Sequence, residues 1–270
     1  MDQLKPGVYR NLPGETYYGL PHLSASAIRV CKGSTRKLHY ELTKPKEKPT
    51  EPMIFGNAFH TYCLEPERFD VDYHTLPQGH KGNTIEGKAE LRKCAERGQI
   101  PLKYESFKQI ANMRSSMVTH TWLMRYFCPM PVNCDIEISF VSEWEGVMVK
   151  SRLDTYYPDE GISIDLKTTR DSSPDKWRYE IRDSYLIQAA IYVQQLKEHK
   201  LPYKGFYFAA VDKAEPHNTA VYSIEQRDID AKWEEVRDLL RRYKRDLKEG
   251  LPHYNTEPTK FAYSQPEVQL

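Results

Sequence analysis

The chain has 270 residues, a mass of 31.7 kDa, a net charge of +1 at pH 7, a hydrophobic fraction of 39% and a mean hydropathy of -0.72. That size suits one large domain, or a domain with an accessory lobe. No apolar run reaches the length of a membrane span, and the N-terminus lacks the apolar region of a signal peptide. A general nucleic-acid binder is usually more basic, and the near-neutral charge neither supports nor excludes an enzyme on DNA with clustered acids and a basic channel.

In chain order, residues 6–23 are rich in Gly, Pro and Tyr and read as irregular. Ser24 or Ser26 is placed to cap a helix running towards residue 40, with Ile28, Cys31 and Leu38 on its inner side. A Lys/Pro/Glu stretch at 44–52 reads as a linker. Residues 53–64 read as a compact apolar helix carrying Gly56 and His60 one turn apart. A Gly-rich polar loop at 78–87 is a candidate lid, and helices are predicted over 86–97 and 104–127.

The sheet is expected to begin at Cys134. Ile136, Ile138 and Phe140 should share one face, and Asp135, Glu137 and Ser139 the other. A four-residue turn at 143–146 would set Glu137 opposite Arg152 and diagonal to Asp154. Residues 147–157 and 162–167 alternate as two further strands, joined by a turn at 158–161. An irregular segment, a helix over 184–199, strands at 206–211 and 220–224, and a charge-balanced amphipathic helix from Asp228 or Asp230 to Gly250 complete the chain.

In the second and third of these strands, Arg152-Leu153-Asp154 and Asp165-Leu166-Lys167 bring two carboxylates and a lysine towards one point. Such a set can bind Mg²⁺ and activate water for phosphodiester hydrolysis. An isolated Asp-x-Lys is more often a solvated, salt-bridged sheet face. A lone histidine such as His60 on an apolar helix is more often core. Tyr185, Gln188 and Tyr192 share a helix face at i, i+3 and i+7, opposite Leu186, Ala189 and Val193.

The order of these parts resembles PD-(D/E)XK nucleases of the RecB and lambda-exonuclease type, and within them the C-terminal nuclease domain of RecE, or exonuclease VIII. The resemblance runs through Leu23-Ser24-Ala25-Ser26, Phe55 to His60, Arg152 to Asp154, Asp165 to Thr169, Tyr185 to Tyr192, and Phe208 to Lys213 with Pro216-His217. It implies that His60, Asp154, Asp165 and the Leu166 carbonyl hold the metal, and that Lys167 positions or helps deprotonate the attacking water and steadies the charge developing on the phosphate. Asp154 and Asp165 are catalytic with it. Gln188, Tyr192, Glu137, Arg152 and Ser26 would orient the site or touch DNA.

The implied fold is α/β and restriction-endonuclease-like, with a central mixed sheet flanked by helices. One exonuclease domain would span 1–270: a helical part to 130, a sheet core over 131–225, and a C-terminal helix and tail over 226–270. The implied function is a Mg²⁺-dependent 5′-to-3′ exonuclease on linear double-stranded DNA, producing 3′ single-stranded tails for recombination in a phage setting. Mn²⁺ should substitute for Mg²⁺. A structure- or sequence-selective endonuclease on the same core, and a degenerate DNA-binding protein, are the alternatives. A homo-oligomeric ring, with a tetramer favoured over a trimer, and a single-strand annealing protein are the implied partners.

The five cysteines, Cys31, Cys63, Cys94, Cys128 and Cys134, are odd in number and lack a C-x-x-C pair. They speak for a reducing cytoplasm without a zinc ribbon or disulfide framework. None follows Cys134, so the C-terminal iron–sulfur cluster of some related nucleases is not expected.

Overall fold

The structure, a computed structural model, describes residues 4–45 and 47–254. The tail from 255 onward, and residue 46 of the predicted linker, lie outside them. The N-terminal part comprises β1 (Gly7–Tyr9), α1 (Gly14–Gly19), α2 (Ala25–Gly33), α3 (Thr35–Thr43), α4 (Glu51–Leu64), α5 (Pro66–Asp72) and β2 (Tyr73–Thr75). It continues through α6 (Ile85–Glu96), β3 (Ile100–Leu102), α7 (Tyr104–Thr119) and α8 (Met124–Phe127). The central part contains β4 (Asp135–Trp144), β5 (Val147–Tyr157), β6 (Ile162–Thr169), α9 (Pro174–Glu180), a π-turn over Ile181–Tyr185 and α10 (Leu186–Glu198). β7 (Gly205–Asp212), β8 (Thr219–Ser223) and α11 (Gln226–Glu249) follow.

Six strands form one mixed sheet in the order β1-β4-β5-β6-β7-β8, and β2 and β3 form a small parallel pair. Only β6 and β7 run parallel within the large sheet, so the chain must cross over between them, and α9, the π-turn and α10 are that crossover. One apolar core packs α2, α3, α10 and α11 against the sheet, through Ile28, Leu38, Ile191, Leu240, Phe140 and Phe208 among others. A second packs α4, α5, α7 and α8 against the opposite face, through Phe59, Phe69, Met113, Phe127, Ile164 and Leu166. The fold is α/β, a mixed central sheet flanked by helices.

Several expectations are corrected. The stretch 6–23 is not wholly irregular: Gly7 pairs with Val141 and Tyr9 with Ser139, so the sheet begins at β1 and not at Cys134. Three residues bounded by prolines are too few to show alternation. The helix expected over 24–40 breaks at Ser34, whose extended backbone (φ -165°) ends α2 while its hydroxyl accepts the Lys37 N–H and starts α3. The helix expected over 104–127 likewise stops at Thr119 and restarts as α8. The segment before α10 contains α9, with Pro174 in its first turn, where a missing N–H costs nothing. α11 begins at Gln226, ahead of Asp228. On α10, Tyr192 and Gln195 are buried along with Ala189 and Val193.

The β4–β5 turn is the correction that matters for the site. Trp144 pairs with Val147, so the turn has only two residues, Glu145 (φ 53°) and Gly146 (φ 72°). Two successive left-handed residues make the turn whose twist suits a tight hairpin. The register moves by two residues: Ser139 stands opposite Arg152, and Glu137 lies across from Asp154, between the pairs Ile136↔Thr155 and Ile138↔Leu153. Glu137 itself has φ 52° within the strand. Ile136 packs with the second core while Ile138 and Phe140 pack with the first, so the three do not share a face as expected.

Candidate active site

β5 and β6 pair only next to their connecting turn, at Thr155↔Ile164, Tyr156↔Ser163 and Tyr157↔Ile162. Beyond these pairs β5 stays with β4 and β6 stays with β7 along its whole length, so the sheet opens into a fork. The β5 edge left free is met by Leu23, which accepts the Lys150 N–H and donates its own to Met148. That contact brings the start of α2 to the fork. At its crotch, the Leu166 N–H has no strand partner on β5 and donates instead to Asp154 Oδ2 at 2.7 Å. The N–H and C=O of a strand residue point to the same side, so the Leu166 carbonyl also faces the fork.

Three donor side chains meet here. His60 comes from α4, Glu137 from β4 and Asp154 from β5, and their ligand atoms all lie within 4.8 Å of one another. His60 Nδ1 is 3.3 Å from Asp154 Oδ2. Burial opposes charge on both, yet their mutual attraction outweighs it: the imidazole is raised above its ordinary value and the Asp154 carboxyl held below its own. Glu137 goes the other way. Burial and the neighbouring Asp154 charge push it up to about 7.

Asp165 stands beside this group but outside it among the described residues, because its carboxylate is turned to other partners. It is ion-paired with Lys167 and accepts a hydrogen bond from Gln188 Nε2 at 2.8 Å on Oδ1. Burial, and the Asp154 charge against the relief from Lys167, push Asp165 up to about 6. Lys167 is raised despite its burial, through Asp165 and Asp154, so it stays an ammonium. Its Nζ also lies 5.3 Å from the centre of the Tyr185 ring, which stacks on Trp177. Gln188 donates to the Tyr192 hydroxyl at 3.0 Å, and Tyr192 is buried against Phe206.

Arg152 is engaged by the protein. Its guanidinium donates to Ser139 Oγ and the Leu12 carbonyl, stands 3.5 Å from Glu137 and lies 4.3 Å over the Tyr17 ring. Ser24, not Ser26, caps α2 by accepting the Ala27 N–H, and the two hydroxyls share a hydrogen bond. The resemblance also implies that Gly56 lets the His60 helix come close, but a Cβ there would rest 3.9 Å from Thr168 Oγ1, an ordinary contact.

A cleft of about 560 Å³ joins these groups, lined by His60, Glu137, Arg152, Asp154, Asp165, Lys167, Gln188, Tyr192 and Ser26. Every predicted side chain therefore reaches one cavity. Of the ligand set that the resemblance implies, His60 and Asp154 lie within 4.8 Å of each other together with Glu137, and Asp165 stands beside them paired with Lys167. Asn57, Tyr17 and Tyr18 also line the cleft. Sequence reading passed over the two tyrosines because α1 lies in the segment read as irregular. Two carboxylates and one imidazole, hard donors with a single nitrogen, fit Mg²⁺ or Mn²⁺.

A forked mixed sheet with Asp, Asp-x-Lys and a histidine at its crotch defines a PD-(D/E)XK nuclease-class domain of restriction-endonuclease-like fold. The chain belongs to the family described as PDDEXK-like domain of unknown function, whose model matches residues 24–257. Among solved structures it is similar to one from Eubacterium rectale named "Putative exonuclease", at 14% identity and a TM-score of 0.60, covering 94% of this chain and 97% of that one. A phage related exonuclease from Haemophilus somnus 129PT shares 14% identity over 82% of this chain and 94% of its own, at a TM-score of 0.33, too low to bear on the fold. Curated proteins give no significant match. Among the described residues no helix is long and apolar enough to cross a membrane.

Proposed function

We propose that the chain is a Mg²⁺-dependent exodeoxyribonuclease acting on linear double-stranded DNA. The observation that carries this is the convergence of His60, Glu137 and Asp154 within 4.8 Å beside the buried Lys167–Asp165 pair. His60, Glu137 and Asp154 would hold the cation, with Asp165 and the Leu166 carbonyl at its margin. A divalent ion bound there lowers the pKa of bound water and offsets phosphate charge.

The chain's own groups do the rest. Lys167 remains cationic and places its charge where the phosphorane develops negative charge, rather than acting as a base. Asp165 fixes that ammonium, Gln188 holds Asp165, and Tyr192 holds Gln188. Arg152 steadies Glu137. The paired hydroxyls of Ser24 and Ser26 at the start of α2 face the cleft and are placed to receive a DNA phosphate.

The 5′-to-3′ polarity, the homo-oligomeric ring of four copies rather than three, the recombination role and the annealing partner rest on the RecE-like order of motifs. Five free thiols suit a cytoplasmic setting.

The test is a time course on duplex labelled at the 5′ or the 3′ end, beside covalently closed circular DNA. Mononucleotide release from linear duplex alone, lost in Asp165→Asn, is expected. Cleavage of the closed circle would make the protein an endonuclease. Absence of magnesium binding by calorimetry would make it a degenerate binder.

A further inference from the structure

On the far side of α4 from the metal cleft lies a second groove, of about 330 Å³, bordered by Phe55, Pro101, Lys103, Ser106 and Lys213. Lys213 follows β7, and its backbone N–H donates to the Thr169 carbonyl at 2.8 Å, two residues beyond Lys167. Its ammonium lies 5.4 Å over the Phe55 ring. Burial and the charge of the nearby, exposed Arg170 lower it from its ordinary value. Among the described residues neither Lys213 nor Arg170 has an ion pair with an acid, whereas Lys103 at the rim is neutralised by Glu51. Two like charges are thus brought together at the ends of two adjacent parallel strands, beside an aromatic ring. A phosphate between them would remove the repulsion.

We propose that this groove is a binding track for single-stranded DNA, with Lys213 at its border and Arg170 beside Lys213 on its phosphates and Phe55 against an unpaired base. Unfilled cations beside an aromatic surface match the chemistry of strands whose bases are unstacked. A duplex keeps its bases paired and offers Phe55 nothing to stack on. The track rests on the nuclease reading for its purpose, which is to hold a strand that is processed at the fork. Its test does not depend on catalysis.

Affinity for a short fluorescein-labelled oligothymidine is read by anisotropy, with full-length protein in EDTA, across a salt series. The parent is compared with Lys213→Gln, Arg170→Gln and the double variant; glutamine keeps most of the Lys213 stem that covers Phe55. Counterion release predicts that the salt slope falls by about 0.7 per cation removed, so by about 1.4 in the double variant, with roughly tenfold weaker binding. Phe55→Leu should weaken binding without changing the slope. Hydrolysis of thymidine 5′-(p-nitrophenyl phosphate), too short to span α4, should stay at the parent rate. An unchanged slope in the double variant would overturn the track, as would a loss seen on blunt duplex but not on the single strand. A parent that binds the strand with the predicted slope but hydrolyses nothing would sink the nuclease reading and leave the track standing.

Discussion

Glu137 occupies a left-handed backbone conformation in the middle of a strand, with its carboxyl half-buried next to another acid. Both features cost free energy, on the order of 1–3 kcal/mol for the backbone alone, and such strain collects at functional sites. The strain coincides with a donor that stands across the ladder from Asp154. Glu137→Asn keeps a residue that tolerates this backbone and removes the charge. The metal-free variant should melt no lower than the parent. Its Mn²⁺ affinity, by calorimetry, should fall by at least the tenfold or so that loss of a supporting partner costs. Unchanged affinity would remove Glu137 from the donor set. Lys167→Ala should lower kcat by about a hundredfold while metal-free DNA affinity holds within about threefold, because its charge acts on the transition state. A defect confined to affinity would assign it to binding.

The element that delivers Glu137 is the β4–β5 hairpin, and its two-residue turn sets the register. At Gly146 the positive φ of 72° disfavours any Cβ, and a Cβ built there would also run into the Lys244 ammonium, which can swing aside. Gly146→Ala should therefore cost about 1–2 kcal/mol by urea unfolding, from the backbone alone. Activity per folded molecule should be intact; a disproportionate loss would mean that the turn had relaxed and the register slipped. This hairpin also marks where sequence reading succeeds and stops. Alternation places β4, β5 and β6 and the acids on them, because apolar residues two apart leave a clear period. The register escapes it, since Glu145-Gly146 lacks the Asn-Gly or Asp-Gly signature of a tight turn. The fork escapes it as well, being a failure of pairing between strands that each look regular. The break at Ser34 is a local cap that leaves the apolar period intact, and the three-residue β1 depends on pairing with β4. His60 was legible only through the resemblance, since its neighbours read as core.

At the scale of the molecule, the side chains of the site come from both sides of the sheet. His60 rides on α4, part of the second core, while Gln188, which sets Asp165, rides on α10 in the first. A cation held at the fork therefore ties two layers together, and its binding is linked to folding of both. At a hundredfold excess over its dissociation constant, Mn²⁺ should raise the melting temperature by roughly 5–10 °C. The size of that rise must depend on pH. Glu137 and Asp165 are raised to about 7 and about 6, so the metal-free fold holds their protons more tightly than the unfolded chain does. Their stabilising contribution is present below the unfolded carboxyl range and is lost as pH climbs through about 6 and about 7. Cation binding needs the same groups deprotonated and runs in the opposite sense, its affinity falling about tenfold per pH unit for each proton displaced. Thermal melts with and without Mn²⁺ should thus diverge above about pH 7 and converge towards about pH 5. A Mn²⁺ effect of equal size at both ends would show that the ion binds away from these carboxylates, and would move the metal site out of the fork.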